Sequence, residues 1–148
     1  MKDLTKYQGV IPAFYACYDK DGNISVEGVK ALTRHLIAKG VKGVYVGGSS
    51  GECIYQHPDE RKKLLEAVMS EAKGKITVIA HVGCNNTADS VELAKHAESV
   101  GVDAIASIPP STSTCRSTPS QSIGTPCLPL PPTPISSSTT SPSWLAQP

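Results

Sequence analysis

Two adjacent hydroxyl residues set among glycines, Ser49 and Ser50 in Gly47-Gly48-Ser49-Ser50-Gly51-Glu52, are the side chains of this sequence best suited to holding a ligand. Hydroxyls and backbone N–H groups freed by a tight turn converge as donors, and converging donors hold a small anion such as a carboxylate. Gly47, Gly48 and Gly51 supply the sharp turn and the close backbone approach that a side chain would block. The spacing is not that of a P-loop, because no Gly-Lys-Ser/Thr follows, and G-x-G-x-x-G fails as well. A second group of reactive types stands in Ala80-His81-Val82-Gly83-Cys84. An imidazole at the end of a strand can be a base, but its commoner use is as a hydrogen-bonded structural residue. The neighbouring thiol, with nothing in the sequence to lower its pKa, reads as a small packing residue rather than a nucleophile.

The elements that must position these residues follow from hydrophobic periodicity. Val44, Tyr45 and Val46 favour a strand that delivers the glycine-rich turn at its C-terminal end. Gly9 to Tyr15 is a short apolar run that reads as an earlier strand, and Asp19-Lys20-Asp21-Gly22-Asn23 is turn chemistry. Its carboxylates lack the spacing and closing Glu of a calcium loop, so a solvated turn is expected. Ser25 caps a helix with the stripe Val29, Leu32, Leu36 and Ile37, which Gly40 ends. Pro58 and Asp59 open a second helix through Leu64, Leu65, Val68, Met69 and Ala72, closed by Gly74. Within it Arg61-Lys62-Lys63, beside Asp59, Glu60 and Glu66, predicts a solvated, ion-paired face. Ile76 to Ala80 is a continuous apolar run of the kind found in a sheet buried on both faces. Thr87 begins a third helix through Val91, Ala94, Ala97 and Val100, and Asp103 to Ile108 reads as a fourth strand. Strand and helix alternate with short connections, which predicts parallel β/α units in an α/β fold. In such folds ligands sit at the C-terminal ends of strands, where Ser49 and Ser50 fall.

Of the 14 Lys and Arg only Arg116 lies beyond residue 110, and every Asp and Glu lies before it. A formal net charge of +1 gives no reason to expect nucleic acid or an acidic membrane surface as partner. The N-terminus carries no apolar leader and no window is long enough to span a bilayer. Cys17, Cys53, Cys84, Cys115 and Cys127 are odd in number and scattered, with no C-x-x-C. That pattern predicts neither a disulfide framework nor a metal site, and it fits a reducing cytoplasm.

The turn at 47–52 resembles the G-S/T-T/S-G-E loop of the pyruvate-dependent class I aldolases, the N-acetylneuraminate lyase and dihydrodipicolinate synthase family. Val78-Ile79-Ala80-His81-Val82-Gly83-Cys84 is similar to the corresponding strand of the lyase branch, and the likeness runs through residues 7–110. The resemblance implies the first half, about four β/α units, of an eight-fold TIM barrel over residues 1–110. It implies that Ser49 and Ser50 hold the carboxylate of pyruvate, with Gly47, Gly48 and Gly51 supporting the loop. It further implies a small-molecule substrate, the pyruvate moiety of sialic acid, a covalent Schiff base with no separate cofactor, and a homotetramer for the intact family. The Schiff-base lysine and the proton-relaying tyrosine of the family's Tyr-Asn-Ile-Pro strand have no counterpart here, so no catalytic residue is expected in this chain. A dihydrodipicolinate synthase-like or other pyruvate aldolase is the alternative enzyme.

Residues 111–148 are dominated by Ser, Thr and Pro, without acid, lysine or apolar periodicity. Such a chain buries too little apolar area to offset its ordering entropy, which predicts a disordered tail. Regrouping its codons from the third base of the preceding codon allows Ser111 to Gln121 to read Ile-Tyr-Phe-His-Leu-Pro-Glu-Tyr-Ala-Ile-Ala, and recovers a Tyr-Asn-Ile-Pro like the family's near Ser138 and Thr139. The expectation is one nucleotide lost near the codon of Pro110 and out-of-frame translation after it. The alternative from another class is a non-catalytic fragment whose Pro129-Leu130-Pro131-Pro132 serves as an interaction tail.

Overall fold

The computed structural model of the chain describes residues 5–108. Helix α1 (Val26–Ala38), strand β1 (Gly43–Val46), helix α2 (Pro58–Ala72), strand β2 (Thr77–His81), helix α3 (Thr87–Val100) and strand β3 (Ala104–Ala106) alternate along the chain. The strands form one parallel sheet in the order β1-β2-β3, with Val44 opposite Val78 and Ala80 opposite Ile105. The expected strand at Gly9–Tyr15 is reduced to one parallel bridge, Ala13 to Tyr45. It still behaves as a neighbour of β1: Lys42 N–H donates to Val10 O (2.9 Å), Tyr45 N–H to Pro12 O (2.9 Å) and Phe14 N–H to Tyr45 O (2.8 Å). The expectations for residues 111–148 lie outside the described residues.

Local chemistry explains each helix boundary. Ser25 Oγ accepts from Gly28 N–H at 3.2 Å and so satisfies one of the unpaired donors of the first turn of α1. Asn86 Oδ1 does the same for Ala88 N–H at 2.8 Å at the start of α3. The backbone N–H of His57 donates to Glu60 Oε2 (2.8 Å) ahead of Pro58, fixing the entry to α2. Gly101 closes α3 in the left-handed conformation. The Asp19 turn spends Oδ1 on the N–H groups of Asp21 and Asn23, both at 2.9 Å.

The core is one layer deep. Val44, Val46, Val78, Ala80 and Val82 point to the side where Val29, Leu64, Val68, Leu93 and Ala97 of the helices meet them. Helix α2 sits between α1 and α3 and contacts both. On the other face Tyr45 and Ile79, opposite each other in the register, are only half-buried, and no described helix covers them. The continuous apolar character of β2 therefore meets helices on one side alone among the described residues. At the N-terminal ends of the strands the turn Thr5–Tyr7 closes the sheet: Thr77 Oγ1 donates to Lys6 O (2.9 Å) and Tyr7 Oη to Asp103 O (3.0 Å). Among the described residues no helix is long and apolar enough to cross a membrane.

Candidate active site

The chain leaves β1 at Val46 and passes through Gly47 and Gly48 into a single 3-10 turn, Ser49–Gly51. Three glycines serve three different ends. Gly47 has φ +71, a conformation that costs any other residue about 1–2 kcal/mol. A Cβ on Gly48 would lie 2.6 Å from Cε1 of Tyr45, and one on Gly51 would lie 2.7 Å from the carbonyl oxygen of Phe14. The turn therefore rests directly on β1 and on the segment around Phe14 that runs beside it. Gly51 N–H donates to Gly48 O (2.9 Å) and Glu52 N–H to Ser49 O (3.0 Å). Ser49 and Ser50 are exposed at the C-terminal end of the sheet, as the sequence places them. Among the described residues neither their hydroxyls nor their backbone N–H groups have a hydrogen-bond partner. Glu52 follows at φ 60, the one non-glycine residue with positive φ among those described.

His81 ends β2 beside this turn and is buried. Its Nδ1 lies 2.9 Å from Gly47 O, and Ile108 N–H donates to Nε2 at 3.4 Å. A carbonyl can only accept and an N–H can only donate, and the 2.9 Å bond to Gly47 O outweighs the 3.4 Å approach of Arg61 Nη2 to the same nitrogen, which assigns the neutral tautomer with its proton on Nδ1. Burial, reinforced by the nearby Arg61 charge and opposed by the Gly47 hydrogen bond, lowers its pKa to about 4. The imidazole is thus a neutral strut holding the glycine turn to β2, with Tyr45 tilted against it at 6.1 Å between ring centroids.

Arg61 corrects the sequence reading. Lys62 does pair on the surface, with Asp59 (3.1 Å) and Glu92, and Lys63 is exposed. Arg61 instead is 5% exposed and reaches under the turn. Its Nη2 donates to His81 O (2.7 Å) and its Nη1 to Gly83 O (3.0 Å) and Cys84 Sγ (2.9 Å). The signal was present in the spacing: Arg61 stands three, four and seven residues before Leu64, Leu65 and Val68, on the same helical face. Charge type suggested a solvated residue, whereas helical position decided burial.

Beside the Ser49–Ser50 turn lies a cavity of about 450 Å³, lined among others by Cys53, Gln56, Arg61, His81 and Cys84. Ser49 and Ser50 are not among its lining residues, so the exposed donors and the cavity are neighbouring features rather than one. Lysines occupy helices and turns: none of those described lies within β1, β2 or β3.

Residues 6–115 match the dihydrodipicolinate synthetase family. An N-acetylneuraminate lyase of Mediterraneibacter gnavus is 71% identical over 110 residues, 74% of this chain and 35% of that protein. The chain thus spans about a third of the length of that curated relative. Among solved structures, a catalytic lysine mutant of the Ruminococcus gnavus sialic acid aldolase superposes with a TM-score of 0.79 at 64% identity, over 84% of this chain and 40% of that one. A dihydrodipicolinate synthase from Agrobacterium tumefaciens gives 0.71 at 29% identity, over 82% of this chain and 40% of that one. The three parallel strands, the helices packed on one face and the turn after β1 are therefore those of a known lineage, and the chain belongs to the dihydrodipicolinate synthetase family.

Proposed function

We propose that residues 5–108 are the opening β/α units of an eight-fold barrel aldolase and carry the carboxylate side of its site. In this reading Ser49 and Ser50 donate from their hydroxyls and backbone N–H groups to the carboxylate of the pyruvate moiety of sialic acid. The observation that carries it is the set of unpaired donors on Ser49 and Ser50 at the C-terminal end of β1. Substrate choice rests on the relatives: 71% identity to an N-acetylneuraminate lyase, against 29% to a dihydrodipicolinate synthase, favours the sialic acid reaction.

Cleavage of the carbon–carbon bond needs an amine that condenses with the ketone, releasing water, so that the resulting cationic imine can take up the bond's electron pair. A neutral amine at such a position requires burial beside the substrate. The described lysines, on helices and turns, do not meet that requirement. The isolated chain would therefore bind pyruvate weakly and turn nothing over. We also attribute residues 111–148 to translation out of frame. The uncharged Ser/Thr/Pro composition after Pro110 supports that reading, as does the end of the family match at residue 115.

Borohydride reduction in the presence of pyruvate is the direct test. The 148-residue chain should show no added mass on any lysine peptide. A protein with the frame restored by one base and extended to the length of its relatives should show one such adduct and lyase turnover. In that restored protein, Ser49→Ala with Ser50→Ala should weaken pyruvate binding by about 1–3 kcal/mol, the range for hydrogen bonds to a charged group. Unchanged affinity would remove the turn from the site.

A further inference from the structure

Two free edges bound the described sheet. In the segment beside β1 the backbone bonds of Val10, Pro12 and Phe14 all run to Lys42 and Tyr45. Backbone groups of successive residues in an extended chain point to opposite sides, so those of Ile11 and Ala13 face outward. Among the described residues these groups have no hydrogen-bond partner. Pro12 does not blunt this edge, because its carbonyl serves Tyr45 and its missing N–H is therefore on the β1 side. On the other flank β3 ends the sheet, with the Ala106 carbonyl accepting from Val82 N–H at 2.8 Å. The same alternation turns the N–H and carbonyl of Ile105 away from β2. Neither residues 10–14 nor Ala104–Ala106 include a charged side chain, the usual guard of an exposed edge.

The register aligns Ala13, Tyr45, Ile79 and Ala104 in one row across the face that no described helix covers. The two large side chains stand in the middle of the row and the two small ones at its ends. Small ends leave room for another strand, and a large centre fills a closed interior. Four aligned segments are half of the eight whose barrel is just wide enough for side chains to fill. The sequence after β3 is poorly suited to supply the missing strands. A further parallel strand needs a crossover of a dozen or more residues and then an apolar run. Residues 109–148 hold ten of the 12 prolines, which cannot donate to a ladder, and show no apolar periodicity.

We propose that a second copy of this chain closes the sheet. The edge of Ile11 and Ala13 in one protomer pairs in parallel with β3 of its partner, and its own β3 pairs with the same edge of that partner. Both edges run in the same direction, so a two-fold axis along the strands satisfies them together. No edge then remains to recruit a third copy, and the two rows through Tyr45 and Ile79 share one interior. An unrelated strand would satisfy one edge and leave the other open. This goes beyond the aldolase reading and needs only the sheet.

Sedimentation equilibrium of the 148-residue chain should reach a limiting mass of two chains. Hydrogen exchange at the Ile11, Ala13 and Ile105 amides should slow as concentration rises through that association. Ala13→Lys puts a charge on an exposed edge residue and should weaken dimerisation by about tenfold or more, with the circular dichroism unchanged. Tyr55→Lys, on the exposed rim of the cavity rather than at an edge, should leave dimerisation as it is. Should Ala13→Lys prove unfolded, the exchange measurement decides alone. A monomer at every concentration, or a mass that keeps growing beyond two chains, overturns the proposal. Dimerisation undiminished in folded Ala13→Lys, or weakened as much by Tyr55→Lys, does the same. So does protection of those amides that is independent of concentration, the result expected if residues 109–148 cover the edges.

Discussion

His81 shows how a reactive type becomes a structural one. Its folded pKa of about 4 lies below the ordinary 6.5, so between these values the unfolded chain binds a proton that the folded chain refuses. Stability conferred by burying the neutral ring is complete above about pH 6.5 and declines as the pH falls toward 4, by up to about 3 kcal/mol. Denaturant midpoints measured at pH 7 and pH 5 should drop for the natural chain, whereas His81→Asn should begin lower and respond less to the change. An equal response in both would mean that the ring is not buried neutral. Gly51 makes a sharper demand. A methyl there meets backbone oxygen, which cannot swing aside as a side chain can. Gly51→Ala should cost about 1–3 kcal/mol in chemical denaturation, the usual range for forced overpacking. Gly74→Ala, with open space around it, should cost only its left-handed backbone.

At the level of elements, the periodicities of two and 3.6 residues locate β1 to β3 and α1 to α3, because burial on one face leaves a direct trace in residue order. The caps at Ser25 and Asn86 and the stop at Gly101 obey equally local chemistry. The position of Ser49 and Ser50 after β1 was legible for the same reason. What residue order does not carry is the path of a long side chain across elements. Arg61 joins α2 to the end of β2 through acceptors at His81, Gly83 and Cys84, twenty or more residues away. Neither the hydrogen bond of His81 to Gly47 nor the lack of room for a Cβ at Gly51 beside the Phe14 carbonyl could be read locally either, since both join segments far apart in sequence. Because Arg61 satisfies carbonyls that would otherwise be stranded, Arg61→Met should destabilise the fold by about 2–4 kcal/mol. Lys63→Met, on the exposed face of the same helix, should fall within about 0.5 kcal/mol of the natural chain. Comparable losses in the two variants would place Arg61 in solvent.

The described residues form a sheet with one finished face. Helices cover Val44, Val78 and Ala80, while Tyr45 and Ile79 on the reverse have no described helix over them. Val10, Tyr15, Ile54, Tyr55 and Ile108 are large apolar residues left exposed. Such surface favours association over a solitary folded state. Sedimentation of the 148-residue chain should show self-association that grows with concentration, and heating should give a broad transition. A sharp, concentration-independent monomeric transition would contradict this.

The turn at Ser49–Gly51 leans on Phe14, Tyr45, His81 and Gln56, whose Nε2 donates to Gly51 O at 3.0 Å, all within the first third of the length of the relatives. Synthesis on the ribosome runs from the N-terminus, and each segment can fold as it emerges. These supports have therefore been made well before the remaining two-thirds of such a polypeptide leaves the exit tunnel. During that interval the unpaired donors of Ser49 and Ser50 already stand exposed at the open end of the sheet, before most of such a polypeptide exists.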